Sequence, residues 1–241
     1  MGLIYRDSID GFVPQSDTKA IHFLKEAADL GYTEAIVEVS GMYWGQMREW
    51  GMNNEDENLQ NAVLYTTLAY RQASQEIPIS SSQDSVAALA YNLGLLFRNT
   101  FSGYFEAFPN LSKPQLLYRA SHYLEEAARK GHEGAFLPLA VTLLDFANLE
   151  GMSINSVLYA PRILFWSRKA ANVEGDKTRA IGLIGRMEEF LKRRCANCRK
   201  SANPNNDPYK CCSRCKSVWY CSKECQVKHW GSHKSDCIKA K

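Results

Sequence analysis

Apolar residues along the first 194 positions recur at intervals of three and four, the helical period, and nowhere hold the strict alternation of a half-buried strand. Ile21, Leu24, Ala27 and Ala28 form one such stripe, and Tyr123, Leu124, Ala127 and Ala128 another. The two belong to one pattern: "LKEAADLGYTEA" (24–35) falls on "LEEAARKGHEGA" (124–135) at an offset of 100, sharing L-x-E-A-A-x-x-G-x-x-x-A. Each position has a physical reading. Paired alanines let helices approach closely, Gly31 and Gly131 stand where a helix end calls for positive φ, and Ala35 and Ala135 open a second helix. Between the copies the pattern predicts one helix near 61–74 and another near 84–98, joined by the polar loop "SQEIPISSSQDS". Residues 1–194 therefore predict an all-α helical-repeat solenoid of about four hairpins, each burying its apolar face against its neighbours.

The repeated frame resembles the SEL-1-like repeat, a tetratricopeptide-related (TPR-like) hairpin. "DGFVPQSDTKA" (10–20) fits that family's connector, "AIVEVSGMY" (35–43) its second helix with one extra residue, and "LGLLF" (93–97) the end of that helix. "KAANVEGDKTRAIGLIGRM" (169–187) fits as a further copy with one residue inserted before Gly175. "GLIY" (2–5) matches the G-x-x-Y that closes a second helix, so the chain opens mid-repeat, as a truncated cap or as a piece of a longer protein. The resemblance implies a concave face that binds proteins or peptides.

Composition narrows the classes. The chain has 241 residues and 45% apolar content, enough for a packed core beside a small second module. Arg6, Asp7 and Asp10 interrupt the start where a secretory signal needs an apolar run, and no stretch reaches the roughly 18 residues of a membrane span. Arg6 also stands where a myristoylation motif wants Ser or Thr. A soluble intracellular protein is expected, cytoplasmic or nuclear; the basic run at 192–194 is a weak nuclear signal. Residues 195–241 carry ten Lys/Arg against three Asp/Glu, a formal +7 that leaves −4 for the rest. A surplus of this size, confined to one short tail, is a weak argument for nucleic acid.

All eight cysteines lie between 195 and 237. They run C-x2-C (Cys195, Cys198), thirteen residues, C-x2-C (Cys212, Cys215), five residues, C-x3-C (Cys221, Cys225), seven residues, H-x3-C (His233, Cys237). A C-x2-C knuckle brings two thiolates to one tight turn, and an x3 spacing places two ligands one helical turn apart. Eight ligands make two closed tetrahedral zinc sites. Disulfides fit poorly with these spacings and the absence of a secretory signal. A redox C-x2-C would need a βαβ setting, and a Cys/His nucleophile a third orienting group. Cys211 is one residue out of register and is expected to be a spare thiol. His229, four residues before His233, is the alternative ligand that spacing from Cys225 disfavours. Spacing leaves sequential and interleaved pairing equally open.

This order, with "VWYCSKECQVKHWGSHKSDC", resembles the MYND zinc finger over residues 195–237. All eight ligands fit, as do Tyr220 before the fifth ligand, Gln226 after the sixth and Trp230 three residues before the histidine. The resemblance implies interleaved pairing: Cys195, Cys198, Cys221 and Cys225 on one zinc; Cys212, Cys215, His233 and Cys237 on the other. It also implies a shallow peptide groove, proline-binding in some members, lined here by Ser213, Gln226 and Trp230. Trp219 and Tyr220 are expected to pack, and Lys216, Lys223 and Lys228 to face solvent. Residues 238–241 form a short tail. "RMEEFLKRRC" carries helical pattern into the first ligand without Pro or Gly, so the finger is expected to dock on the last repeat.

The combined expectation is a non-enzymatic adaptor, with helical repeats for a protein partner and a finger for a short, proline-rich peptide. Two other classes stand beside it. One is a non-catalytic, substrate-recruiting component of a ubiquitin-ligase or methyltransferase complex. The other is a weak nucleic-acid binder, which lacks stacking aromatics in a basic groove.

Overall fold

The computed structural model describes residues 2–7, 16–49, 56–74, 83–103, 108, 110–149, 155–203, 205 and 207–237. Most of the proposed connector at 10–20, the interior of the loop after Ser74 and the tail 238–241 lie outside the described residues. Ten α-helices and one two-stranded ribbon occur among the described ones, in two compact units, residues 1–132 and 133–241.

The first unit holds α1 (Gly2–Asp7), α2 (Asp17–Asp29), α3 (Thr33–Glu49), α4 (Asp56–Ser74), α5 (Gln83–Phe101) and α6 (Lys113–Arg129). Each helix packs on the next in sequence. Helices expected near 61–74 and 84–98 are present as α4 and α5, somewhat longer at their ends. Leu24 and Ala28 of the first frame join Ile36, Val39 and Tyr43 of α3 in a buried core. In the second copy Leu124, Ala127, Ala128 and Ala135 are buried too.

The frame's two glycines repeat in structure as well as in sequence. Gly31 has φ 89° and Gly131 φ 92°, and the next residue in each case donates back to the first alanine of the pair: Tyr32 N–H to Ala27 O at 3.1 Å, His132 N–H to Ala127 O at 3.0 Å. Both α2 and α6 thus end in the same left-handed turn, which a Cβ would strain. A second close approach recurs at the frame's leucine. A Cβ on Gly2 would lie 2.5 Å from Leu24 Cγ, and one on Gly94 would lie 2.6 Å from Leu124 Cγ. A glycine of one helix therefore seats the leucine of the next, at two places in the unit.

The second unit begins with a single 3-10 turn (Glu133–Ala135) and continues with α7 (Phe136–Leu149), α8 (Asn155–Ala170) and α9 (Lys177–Leu191). Helix α8 packs on both its neighbours, and Ile163, Leu164 and Ala170 have no exposed surface. The ribbon of β1 (Lys210–Cys211) and β2 (Trp219–Tyr220), α10 (Lys223–His233) and a closing 3-10 turn (Lys234–Asp236) complete the chain. The strands are antiparallel, with Lys210 opposite Tyr220 and Cys211 opposite Trp219. No helix among the described residues is long and apolar enough to cross a membrane.

Candidate metal centre

The cysteine-rich segment grows directly out of α9. Arg194 N–H still donates to Leu191 O at 2.9 Å, and Cys195 follows with no exposed surface. The two C-x2-C turns are built alike. Cys195 O accepts from Arg199 N–H at 2.9 Å, and Cys212 O from Lys216 N–H at 2.9 Å. In each, the residue after the second cysteine takes positive φ, 62° at Arg199 and 51° at Lys216. That left-handed residue folds the chain back over its own start. Cys195 N–H then reaches Lys200 O at 3.0 Å and Cys212 N–H reaches Val218 O at 2.9 Å.

The remaining four ligands flank α10. Ser222 caps this helix, accepting from Cys225 N–H at 3.3 Å, so Cys221 lies before the cap and Cys225 in the first turn. His233 is the last residue of α10, and Cys237 follows the 3-10 turn. Sequence spacing predicts each pair on one helix face. In the structure the capping serine and the tightened last turn leave only Cys225 and His233 inside the helix.

These elements gather two sets of side chains: Cys195, Cys198, Cys221 and Cys225, and Cys212, Cys215, His233 and Cys237, with ligand atoms in each set within 4.8 Å of one another. Pairing is interleaved, a choice that spacing leaves open. A zinc–sulfur tetrahedron with bonds of about 2.3 Å has edges of about 3.8 Å, and a sulfur–nitrogen edge is about 3.6 Å. Cys198 and Cys221 sulfurs are 3.6 Å apart, Cys221 and Cys225 3.5 Å, Cys212 and Cys237 3.8 Å, and Cys215 Sγ lies 3.5 Å from His233 Nε2. These distances match the edges of two zinc tetrahedra, and every cysteine is a free thiol. Residues 195–237 match the MYND finger family. The two sets fit the two zinc ions of a MYND finger. No solved structure matches the chain.

Electrostatics within the finger follow from packing several thiols together. Burial raises the Cys195 thiol, but backbone N–H groups of Cys221, Cys198 and Asn197 donate to its sulfur and outweigh that, bringing it down to about 6. Cys212 is lowered in the same way, burial being overcome by N–H groups of Cys215 and Arg214. Their partners move oppositely. Burial pushes Cys215 up to about 12, with repulsion from Cys212 and Cys237 adding to it, and Cys237 is raised by burial and by Cys212. One thiolate per crowded set is readily formed and the next is resisted, which is the field a divalent cation relieves.

Cys211 lies outside both sets, exposed on β1. His229 is also outside them: its Nδ1 is 3.0 Å from the Tyr220 hydroxyl, and its ring stacks on His233 at 5.6 Å with an interplanar angle of 8°. Burial lowers its pKa, favouring the neutral ring. Tyr220 is buried and Trp219 half-buried, both on the ribbon, while Lys216, Lys223 and Lys228 are exposed. Gln226 and Trp230 stand four residues apart, on one face of α10, and Trp230 meets His233 edge to face at 6.0 Å. Ser213 is exposed on the knuckle of the same zinc site.

Sequence reasoning misses one residue that touches the finger. Arg168 of α8 donates to Cys215 O at 3.0 Å and Lys216 O at 2.9 Å, and nothing in its local sequence marks it. The ribbon had a signal, since "VWY" is β-branched and aromatic.

Proposed function

We propose that this chain is a non-enzymatic adaptor, whose MYND finger takes a short, proline-rich segment and whose helical part, a set of SEL-1-like hairpins, takes a second protein. The observation that carries the finger half is the closed donor set. Eight protein ligands fill both tetrahedra, leaving no position for substrate or activated water, so the zincs act as struts. On the outside of the second strut, α10 leaves Trp230 39% and Val227 65% exposed. A half-exposed indole beside the polar Gln226 suits a proline ring and its neighbouring carbonyl.

Support for the helical half comes from the recurring frame, whose glycine turns and glycine–leucine seats repeat at equivalent positions. Helices that pack on their sequence neighbours are the arrangement of repeat proteins. The finger reading is tested by titrating proline-rich peptides into the zinc-loaded chain, followed by Trp fluorescence and NMR. Trp230→Ala should weaken binding at least tenfold while both zincs are retained; equal affinity in wild type and variant would sink the groove.

A further inference from the structure

The two knuckles of the finger are attached to the helices in different ways. The first continues from α9 through the chain. The second lies seventeen residues further on, and the side chain of Arg168 holds it against α8. Arg168 Nη1 donates to Cys215 O at 3.0 Å and to Ser217 Oγ at 2.9 Å, while Nη2 donates to Lys216 O at 2.9 Å and to Glu188 Oε1 of α9 at 2.9 Å. Ser217 is buried and its hydroxyl in turn donates to Cys215 O at 2.9 Å. Two nitrogens thus serve four acceptors drawn from α9 and from three consecutive residues of the zinc turn.

The chemistry of the turn explains why a guanidinium stands there. Lys216 N–H donates back to Cys212 O at 2.9 Å, which turns the carbonyl of the same peptide unit, Cys215 O, away from the knuckle's own backbone. Lys216, at positive φ, holds that shape. Carbonyls at 215 and 216 accept from Arg168, and the site behind them would carry three thiolates and a neutral histidine around one dication, a net charge of −1. Arg168 supplies the donors and a compensating charge at once, and Glu188 fixes its fork. A lysine could not: one ammonium with three donors cannot reach acceptors spread over this arc.

We propose that Arg168 is a positioning residue for the second zinc site, and that through it zinc occupancy is coupled to the α8–α9 hairpin. With metal bound, the knuckle presents its carbonyls and clamps Arg168 between α8 and α9. With metal gone, the turn loses its shape, Arg168 loses three of its four acceptors, and the hairpin loosens at the Arg168–Glu188 contact. The inference rests on the two zinc sites alone, whatever partner the finger takes.

Zinc release from the full chain to 4-(2-pyridylazo)resorcinol tests it, with native mass spectrometry counting the ions and His233→Ala marking the second site. Partners outside the ligand shell are worth about tenfold to a hundredfold in metal affinity. Arg168→Gln and Arg168→Lys should both weaken the second site at least tenfold and leave the first unchanged. Glu188→Gln, which does not touch the finger, should show a smaller loss in the same direction and keeps the test decisive if Arg168→Gln fails to fold. Hydrogen exchange gives the readout that a merely structural role would not move. Zinc removal from the wild type should deprotect the last turn of α8 and the facing part of α9, and zinc-bound Arg168→Gln should already show that deprotection. Wild-type release from both Glu188→Gln and Arg168→Gln, or α8–α9 protection indifferent to zinc in the wild type, would overturn the proposal.

Discussion

Nine cysteine and histidine side chains lie in or beside the two zinc sites and one further thiol stands clear of them; single substitutions separate their roles. Cys211→Ser should leave two zincs per chain by native mass spectrometry, because its thiol is exposed and outside both sets. His233→Ala should lose or greatly weaken one, because His233 is buried as the only nitrogen ligand of its set. Acidity should act in one direction. Cys215, near 12, keeps its proton through the neutral range, so zinc entering the second site expels it and affinity falls as pH falls. Cys195, near 6, adds a further loss at the first site only below about that pH. Zinc content measured from pH 8 to pH 5 should therefore decline towards acid; a flat profile would contradict thiolate ligation. At this scale the ligands were legible from spacing because knuckles impose local geometry. Arg168 was not legible, since its partners on the finger are 47 to 49 positions away and an arginine on a helix has many uses.

Helices and turns here are decided by small residues as much as by apolar ones. Gly94→Ala would place a Cβ 2.6 Å from Leu124 Cγ and 3.0 Å from Leu124 N, and the backbone atom cannot swing aside. The substitution should lower stability by about 1–3 kcal/mol despite alanine's better helix propensity, read as a shift in the urea midpoint. An unchanged or higher midpoint would mean that the glycine–leucine seat is not a tight contact in solution. The frame L-x-E-A-A-x-x-G foretold the turn at each copy, because a left-handed helix end has a strong residue preference. It did not foretell the Gly94–Leu124 seat, which depends on which helix lies opposite. On the finger, Ser222 starts α10 one residue after Cys221, so ligand spacing located the half-site and the cap set the helix boundary.

For the whole molecule, metal and hydrophobic burial should stabilise different parts. The finger's own core is small, built from four buried cysteines with Val218 and Tyr220, so its folding depends on the metals, worth roughly 10–16 kcal/mol per structural zinc. Chelation should expose the amides of residues 195–237 to exchange while α2 to α6, with apolar cores of their own, keep their protection. A finger still protected after both zincs are removed would refute the metal-dependent core. By itself the sequence determined the helical character of residues 1–194, the two glycine turns, the eight ligands and the exclusion of Cys211, because each depends on periodicity or on contacts a few residues apart. The tertiary structure carries the interleaved ligand sets that spacing left open and the resemblance implied, and it alone decided that the Tyr220 hydroxyl on the ribbon meets His229 on α10 and that α8 grips the second knuckle through Arg168. Those facts join groups on separate elements, and which of them meet is fixed by how helices and ribbon pack, not by any pattern along the sequence.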